Sequence, residues 1–353
     1  MYTPHSTPCT LLLLLSLTAC QQEVLTEEKR PALPQEAPIS FTRGMVDNVS
    51  RVGNGLEEYA TTMGVWGWRK QDGEKEQVFR HQRVYYDQAE QGWFYSPLKY
   101  WNTRSTYDFY AYAPYEPSLV TIEDGKWIHI VGVSVAGENV QETPHAQEVK
   151  VFSQDTDWMV ARAGQTDVPG TYGATVQFCM QHVLSKLNVR IRTSQEMADA
   201  TTSVTLDELT VGTFAASGSF AQQLLHTPVT AAERAVEEWT LAPGAQGLTL
   251  GRTTSCTIPT SYSYVLESLL LPQAVDMDDA LQMAYTLHYA DGHGETFRYS
   301  LLLREASADF ETLVSGCNYT LSFTIAPSSI QFQASAYQWA DGETATWHYH
   351  NDN

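Results

Sequence analysis

Positive charge is scarce in this sequence. Twenty-one Lys and Arg stand against 41 Asp and Glu over 353 residues, a formal charge of −20. Such a surface repels phosphate backbones and anionic headgroups, which excludes nucleic acid as a partner. Cysteine is scarce too: Cys9, Cys20, Cys179, Cys256 and Cys317 include no CxxC pair, so the thiols imply neither a zinc site nor a disulfide framework. There is no Gly-rich phosphate loop, GxSxG elbow or HExxH helix, so catalysis has no visible seat and a non-enzyme without cofactors is expected. Asp276, Asp278 and Asp279 lack the Gly and distal Glu of a calcium loop. His288, His293, His348 and His350 are scattered or in turns, and no metal site is expected. The one strongly apolar run, Leu11 to Leu17, is far too short to span a bilayer.

That run is long enough for the core of a signal peptide, and it leads into Leu17-Thr18-Ala19-Cys20. This tetrad resembles the lipobox of bacterial lipoproteins, in which the cysteine thiol receives a diacylglycerol. Residues 1–19 are therefore expected to be a lipoprotein signal peptide and Cys20 the lipidation site. Residues 20–38 are mostly polar or acidic and carry Pro31, Pro34 and Pro38. They can neither pack a core nor pair in a central strand, and read as a tether.

Beyond Pro38 the chain is rich in strand formers: apolar residues make up 43% of the sequence, with nine Trp and nineteen Tyr. The clearest signal is a hairpin, Tyr285–Tyr289 and Phe297–Leu301 around Asp291-Gly-His-Gly294. Further strands are expected within 64–68, 83–86, 107–112, 149–152, 175–178, 184–191, 204–211, 262–271, 319–325 and 330–337. Two brief helices are expected, Thr230–Glu238 and Asp276–Met283, the latter acidic at its start. Many short, turn-punctuated strands imply an all-β protein of two β-sandwich domains. The interval Thr166–Gly173, interrupted by Asp167, Pro169 and Gly170, is the expected linker. It divides the chain into 39–172 and 173–353. Trp66, Trp68, Trp93, Trp101, Phe109 and Tyr112 can fill the first core; a solvent-facing aromatic platform for sugar is the alternative.

Several local patterns occur in succession. They are Ile39-Ser-Phe-Thr-Arg43; Gly64-Val-Trp-Gly-Trp68, then Trp93-Phe-Tyr-Ser-Pro97, Tyr100-Trp101 and Tyr107-Asp-Phe-Tyr-Ala-Tyr-Ala-Pro114; and Val176-Gln-Phe178 with 182–191. Leu269-Leu-Leu-Pro-Gln273, Gly316–Phe323, and Trp339 with Gly342 complete the series. Together they cover nearly the whole mature chain and resemble the fimbrillin superfamily of Bacteroidales, the FimA/Mfa-like subunits of type V pili.

The resemblance implies two tandem transthyretin-like, Greek-key β-sandwich domains and a pilus subunit that supports adhesion at the outer membrane or in a fimbrium. It implies that an arginine-specific protease cuts near the N-terminus, that loss of the first strand opens a groove, and that a strand from another fimbrillin subunit fills it by β-augmentation. The departing strand is then Ile39–Thr42, and the candidate cleavage sites are Arg43 and Arg51. Arg30 is a weaker candidate because Pro31 follows it and a cut there removes only tether. The candidate donor is 329–339 with 344–349, in which Ile330, Phe332, Ala334 and Ala336 alternate with polar residues. An edge strand of its own domain is the alternative for that segment. A cell-surface glycan-binding lipoprotein, with host proteins or glycans as partners, is the alternative function.

Overall fold

The computed structural model describes residues 37–42, 45–46, 56, 60–123, 125–137, 139–142, 150–153, 155–161, 164–225, 235–244, 246–252 and 254–338. The chain is almost all β. One sheet is built on Thr62–Gln71, Glu74–Asp87 and Thr106–Ala113, all antiparallel, and is extended by Met159–Ala161, Cys179–His182 and the short Met45–Val46. Thr106–Ala113 is buried along nearly its whole length, because both faces of this sheet are covered. Tyr107, Phe109, Ala111 and Ala113 face one core with Ile39, Phe41, Phe79 and Phe178. Tyr110 and Tyr112 face a second core with Trp66, Ile128, Ile130 and Phe220. The second core is closed by a four-stranded sheet of Glu237–Leu241, Ser217–Gln223, Trp127–Ser134 and Val120–Glu123.

A second sandwich lies later in the chain. Ser263–Leu270, Ser185–Thr193, Cys317–Ile325 and Ile330–Gln338 form one layer; Gln246–Arg252, Ser203–Ala215, Ala280–His288 and Gly294–Leu302 form the other. Between them lies a third core that includes Leu187, Val189, Ile191, Leu209, Leu281, Leu321 and Phe323. Ser185–Thr193 and Cys317–Ile325 run parallel, and their inward residues alternate with an outward polar row.

Strand pairing crosses the expected division at 172/173. Cys179–His182 belongs to the first sheet, and Ser217–Gln223 pairs with Trp127–Ser134. Within the expected linker, Gln165–Pro169 is a strand on Thr106–Ala113, and the Gly170 N–H donates to the Ser105 carbonyl at 2.9 Å.

The two expected helices are corrected. Residues 276–279 form a turn in which the Asp279 carboxylate accepts the N–H groups of Asp276 at 3.0 Å and Thr213 at 2.7 Å. Ala280–His288 is a strand, because Leu281, Met283, Tyr285 and Leu287 recur every second residue and face the core. Of Thr230–Glu238, residues 230–234 lie outside the described residues, and Glu237–Leu241 is a strand. A short helix instead covers Gln195–Ala200, capped by the Ser194 hydroxyl on the Met197 N–H.

Candidate functional site: the slot of the N-terminal strand

Residues 37–42 enter the first core as an extended segment. Ala37, Ile39 and Phe41 are buried, with Ile39 only 1% exposed, while Pro38 is exposed and Ser40 half-buried. The alternation follows from extended backbone, which turns every second side chain to the same face. One edge of the segment meets residues 99–100: Pro38 bridges Tyr100, and the Ile39 N–H donates to the Lys99 carbonyl at 2.8 Å. The other edge meets Thr175–Val176 in parallel register, and the Thr42 N–H donates to the Val176 carbonyl at 3.0 Å. Further on, Met45–Val46 runs parallel to Cys179–Met180.

The side chains close the slot. The Phe41 ring lies 5.6 Å from Phe79, 5.6 Å from Tyr95 and 6.1 Å from Phe178. The Tyr95 hydroxyl donates to the Ile39 carbonyl at 2.7 Å and also contacts Lys99. Burial pushes the Tyr95 phenol up to about 12, against a smaller opposing effect of its hydrogen bond at Lys99, so it stays a proton donor at neutral pH. Trp101 Nε1 donates to the Ala174 carbonyl at 3.0 Å and so fixes the strand edge that the segment covers.

Ala37 and Pro38, read from the sequence as the end of the tether, belong to the folded body. Ile39 and Phe41 are buried at alternate positions of this segment. Cys20, Arg30, Arg43, Arg51 and 344–349 lie outside the described residues. Tyr95 and Lys99 are contacts of residue 39 that the sequence did not signal, because only the fold brings them there.

The C-terminal candidate strand, Ile330–Gln338, pairs antiparallel with Cys317–Ile325 over its whole length and forms the edge of its sheet. Phe332 and Ala334 are buried, and Ile330 and Ala336 pack partly against the same core. Its other edge has no strand partner among the described residues. The tryptophans that could have formed a sugar platform face inward: Trp66, Trp93 and Trp101 are buried and Trp68 is half-buried. His288 is held by Thr205 at 3.1 Å, and Asp279 is spent on its turn.

A family model described as fimbrillin-like matches residues 50–339. A solved structure of a candidate cell adhesion protein from Bacteroides uniformis shares 20% identity, with 86% of this chain and 98% of that one covered, at a TM-score of 0.47. A fimbrial protein from Bacteroides vulgatus shares 14% over 86% and 99%, also at 0.47. The tip fimbrial protein Mfa3 from Porphyromonas gingivalis shares 11% over 86% and 100%, at 0.35. No curated protein matches. The extent of the family match decides the assignment: the chain belongs to the fimbrillin-like family.

Proposed function

We propose that this chain is a pilus subunit, exported as a lipoprotein through Cys20, delivered to the outer membrane and assembled by strand exchange after a cut at Arg43 or Arg51. Membership of a family of fimbrial structural subunits supports a cell-surface appendage and other fimbrillin subunits as partners. The observation that carries the mechanism is the seating of Ile39 and Phe41 in an aromatic slot that ends one residue before Arg43. Losing this segment exposes apolar surface and the backbone groups of Lys99 and Val176. Burying an Ile or Phe side chain is worth about 1.5–3 kcal/mol each, and unmade backbone bonds add to the drive to refill the slot. An incoming strand with apolar residues at alternate positions supplies both.

Ile330, Phe332, Ala334 and Ala336 form such a row. As an edge strand they have backbone pairing on one side alone to give up. This divides the labour along the chain: a lipid-anchored tether upstream of residue 37, an accepting sandwich around residues 39–182, and a donating sandwich that ends in Ile330–Gln338.

The test is to treat purified, non-acylated chain with an arginine-specific protease, map the new N-terminus by mass spectrometry and follow size by gel filtration. One cut after Arg43 or Arg51 that yields denaturant-resistant oligomers is expected. A trimmed chain that stays monomeric would overturn the strand-exchange mechanism.

A further inference from the structure

The outward face of the second sandwich carries a positive feature at odds with the charge of the chain. Arg190 and Arg192 lie two residues apart on Ser185–Thr193 and point to the same face. Arg190 Nε donates to the Ser322 hydroxyl at 2.7 Å, and Arg192 Nε donates to the Thr324 hydroxyl at 3.0 Å, each the register partner on the adjacent strand. Both guanidinium groups lie over the Tyr262 ring, 4.6 and 4.4 Å from its centroid. The Tyr262 hydroxyl in turn meets the Thr324 hydroxyl at 3.3 Å. With Nε engaged and the plane stacked, each fork is oriented, and among the described residues its terminal N–H donors have no carboxylate partner.

Among the described residues no carboxylate supplies that partner. Among the described residues neither arginine forms an ion pair, and Glu267 on the neighbouring strand is held by Lys186 at 2.8 Å. One step along the same face, Asn188 and Thr320 sit opposite each other, each 3% exposed. Asn188 Oδ1 and Thr320 Oγ1 have no hydrogen-bond partner among the described residues, so polar capacity lies buried beside two unneutralised cations.

We propose that this face binds the carboxylate of an acidic sugar, a sialate or a uronate, with the half-buried Arg190 and Arg192 gripping the carboxylate. A planar fork matches a carboxylate in two-point fashion. A sugar fits better than an acidic protein segment because the outward positions of Ser185–Thr193, Cys317–Ile325 and Ile330–Gln338 carry no aliphatic side chain. The apolar groups on this face are already covered, Tyr262 by the two guanidinium groups and Leu269 by the second core, so a protein partner finds little apolar surface to bury. Arg190, Arg192, Tyr262, Ser322 and Thr324 belong neither to the N-terminal slot nor to Ile330–Gln338, so the proposal does not rest on strand exchange.

The test is to titrate the purified full chain with N-acetylneuraminic acid and glucuronic acid, with N-acetylmannosamine and glucose as neutral controls and a glutamate-rich peptide as the protein-like control, by saturation-transfer NMR. Binding of one or both acidic sugars alone is expected, which of the two binds telling sialate from uronate. Arg190→Lys and Arg192→Lys should each weaken it about five-fold or more with unchanged thermal melting, since a point charge replaces the fork. Should a lysine variant melt early, phenylglyoxal labelling of the wild-type chain replaces it: the bound acidic sugar should protect both arginines and the neutral one should not. Equal binding of neutral sugars, retention of the peptide in place of the sugars, absence of binding, or unprotected arginines would each overturn the proposal.

Discussion

Phe41 stacks on Phe178 with ring centroids 6.1 Å apart and planes inclined by 18°. One ring belongs to the segment proposed to leave, the other to the sheet edge that stays. The same Phe41 meets Phe79, Tyr95 and Phe109 edge-on, so a single side chain ties the N-terminal strand to four aromatic neighbours that belong to the rest of the fold.

Replacing Phe41 should therefore loosen the segment before it damages the body. Phe41→Ala is expected to lower stability in urea by about 3 kcal/mol, the lower end for a buried Phe truncated to Ala because a terminal strand can relax or detach. Limited proteolysis should show faster cutting after Arg43 in this variant. Unchanged cutting would mean that Phe41 does not hold the segment.

The Tyr95 hydroxyl gives the slot a pH dependence. A tyrosine in the unfolded chain ionises near 10, whereas Tyr95 is held neutral up to about 12. Its contribution is complete below pH 10 and is lost as the pH rises from there through about 12, at most about 2–3 kcal/mol. Other buried tyrosines, among them Tyr110, Tyr112 and Tyr319, are also pushed up by burial and act in the same direction. Tyr95→Phe should then flatten part of the alkaline loss. At neutral pH it should cost about 1–2 kcal/mol for the bond lost at the Ile39 carbonyl. Urea melts of both chains between pH 8 and pH 12 decide this.

Much of the architecture was legible because alternation is local. Tyr107 to Tyr112, the hairpin around Asp291-Gly292 and the row Ile330, Phe332, Ala334 all fell in observed strands. Ser217–Gln223 escaped notice because Ser217-Gly-Ser-Phe-Ala-Gln-Gln offers little apolar repeat, and its place is set by pairing with Trp127–Ser134. The acidic start at Asp276 imitated a helix N-terminus, yet the two-residue repeat from Leu281 to Leu287 prevailed once a core was there to receive it. In the candidate site, Ile39–Thr42 could be named from the family resemblance alone. Tyr95, Lys99 and Ala174 could not, because no local pattern marks a residue that acts through a distant strand.

Gly170 tests whether the expected linker is structural. A Cβ there would overlap the backbone carbonyl of Asn102, which a side-chain shift cannot relieve. Gly170→Ala is expected to destabilise by about 2–4 kcal/mol through strain at this close approach. A flexible linker would accept alanine within about 0.5 kcal/mol, so thermal melting of this one variant separates the two.

Resistance to cleavage should act differently from loss of the donor strand. A chain carrying Arg43→Gln and Arg51→Gln keeps residues 39–42 in the slot, so under the proposed mechanism it can give its C-terminal strand but receive none. Mixed with wild-type chain and protease, it becomes a terminator at one end of each polymer. Mean polymer length by gel filtration and electron microscopy should fall steadily as its mole fraction rises, while the variant itself remains folded and incorporated. If the variant is excluded from polymers, then donation also requires the cut, and the two sandwiches are coupled rather than independent in assembly. If polymer length is unaffected although the variant is incorporated, accepting a strand does not depend on vacating the slot, and Phe41 has another role.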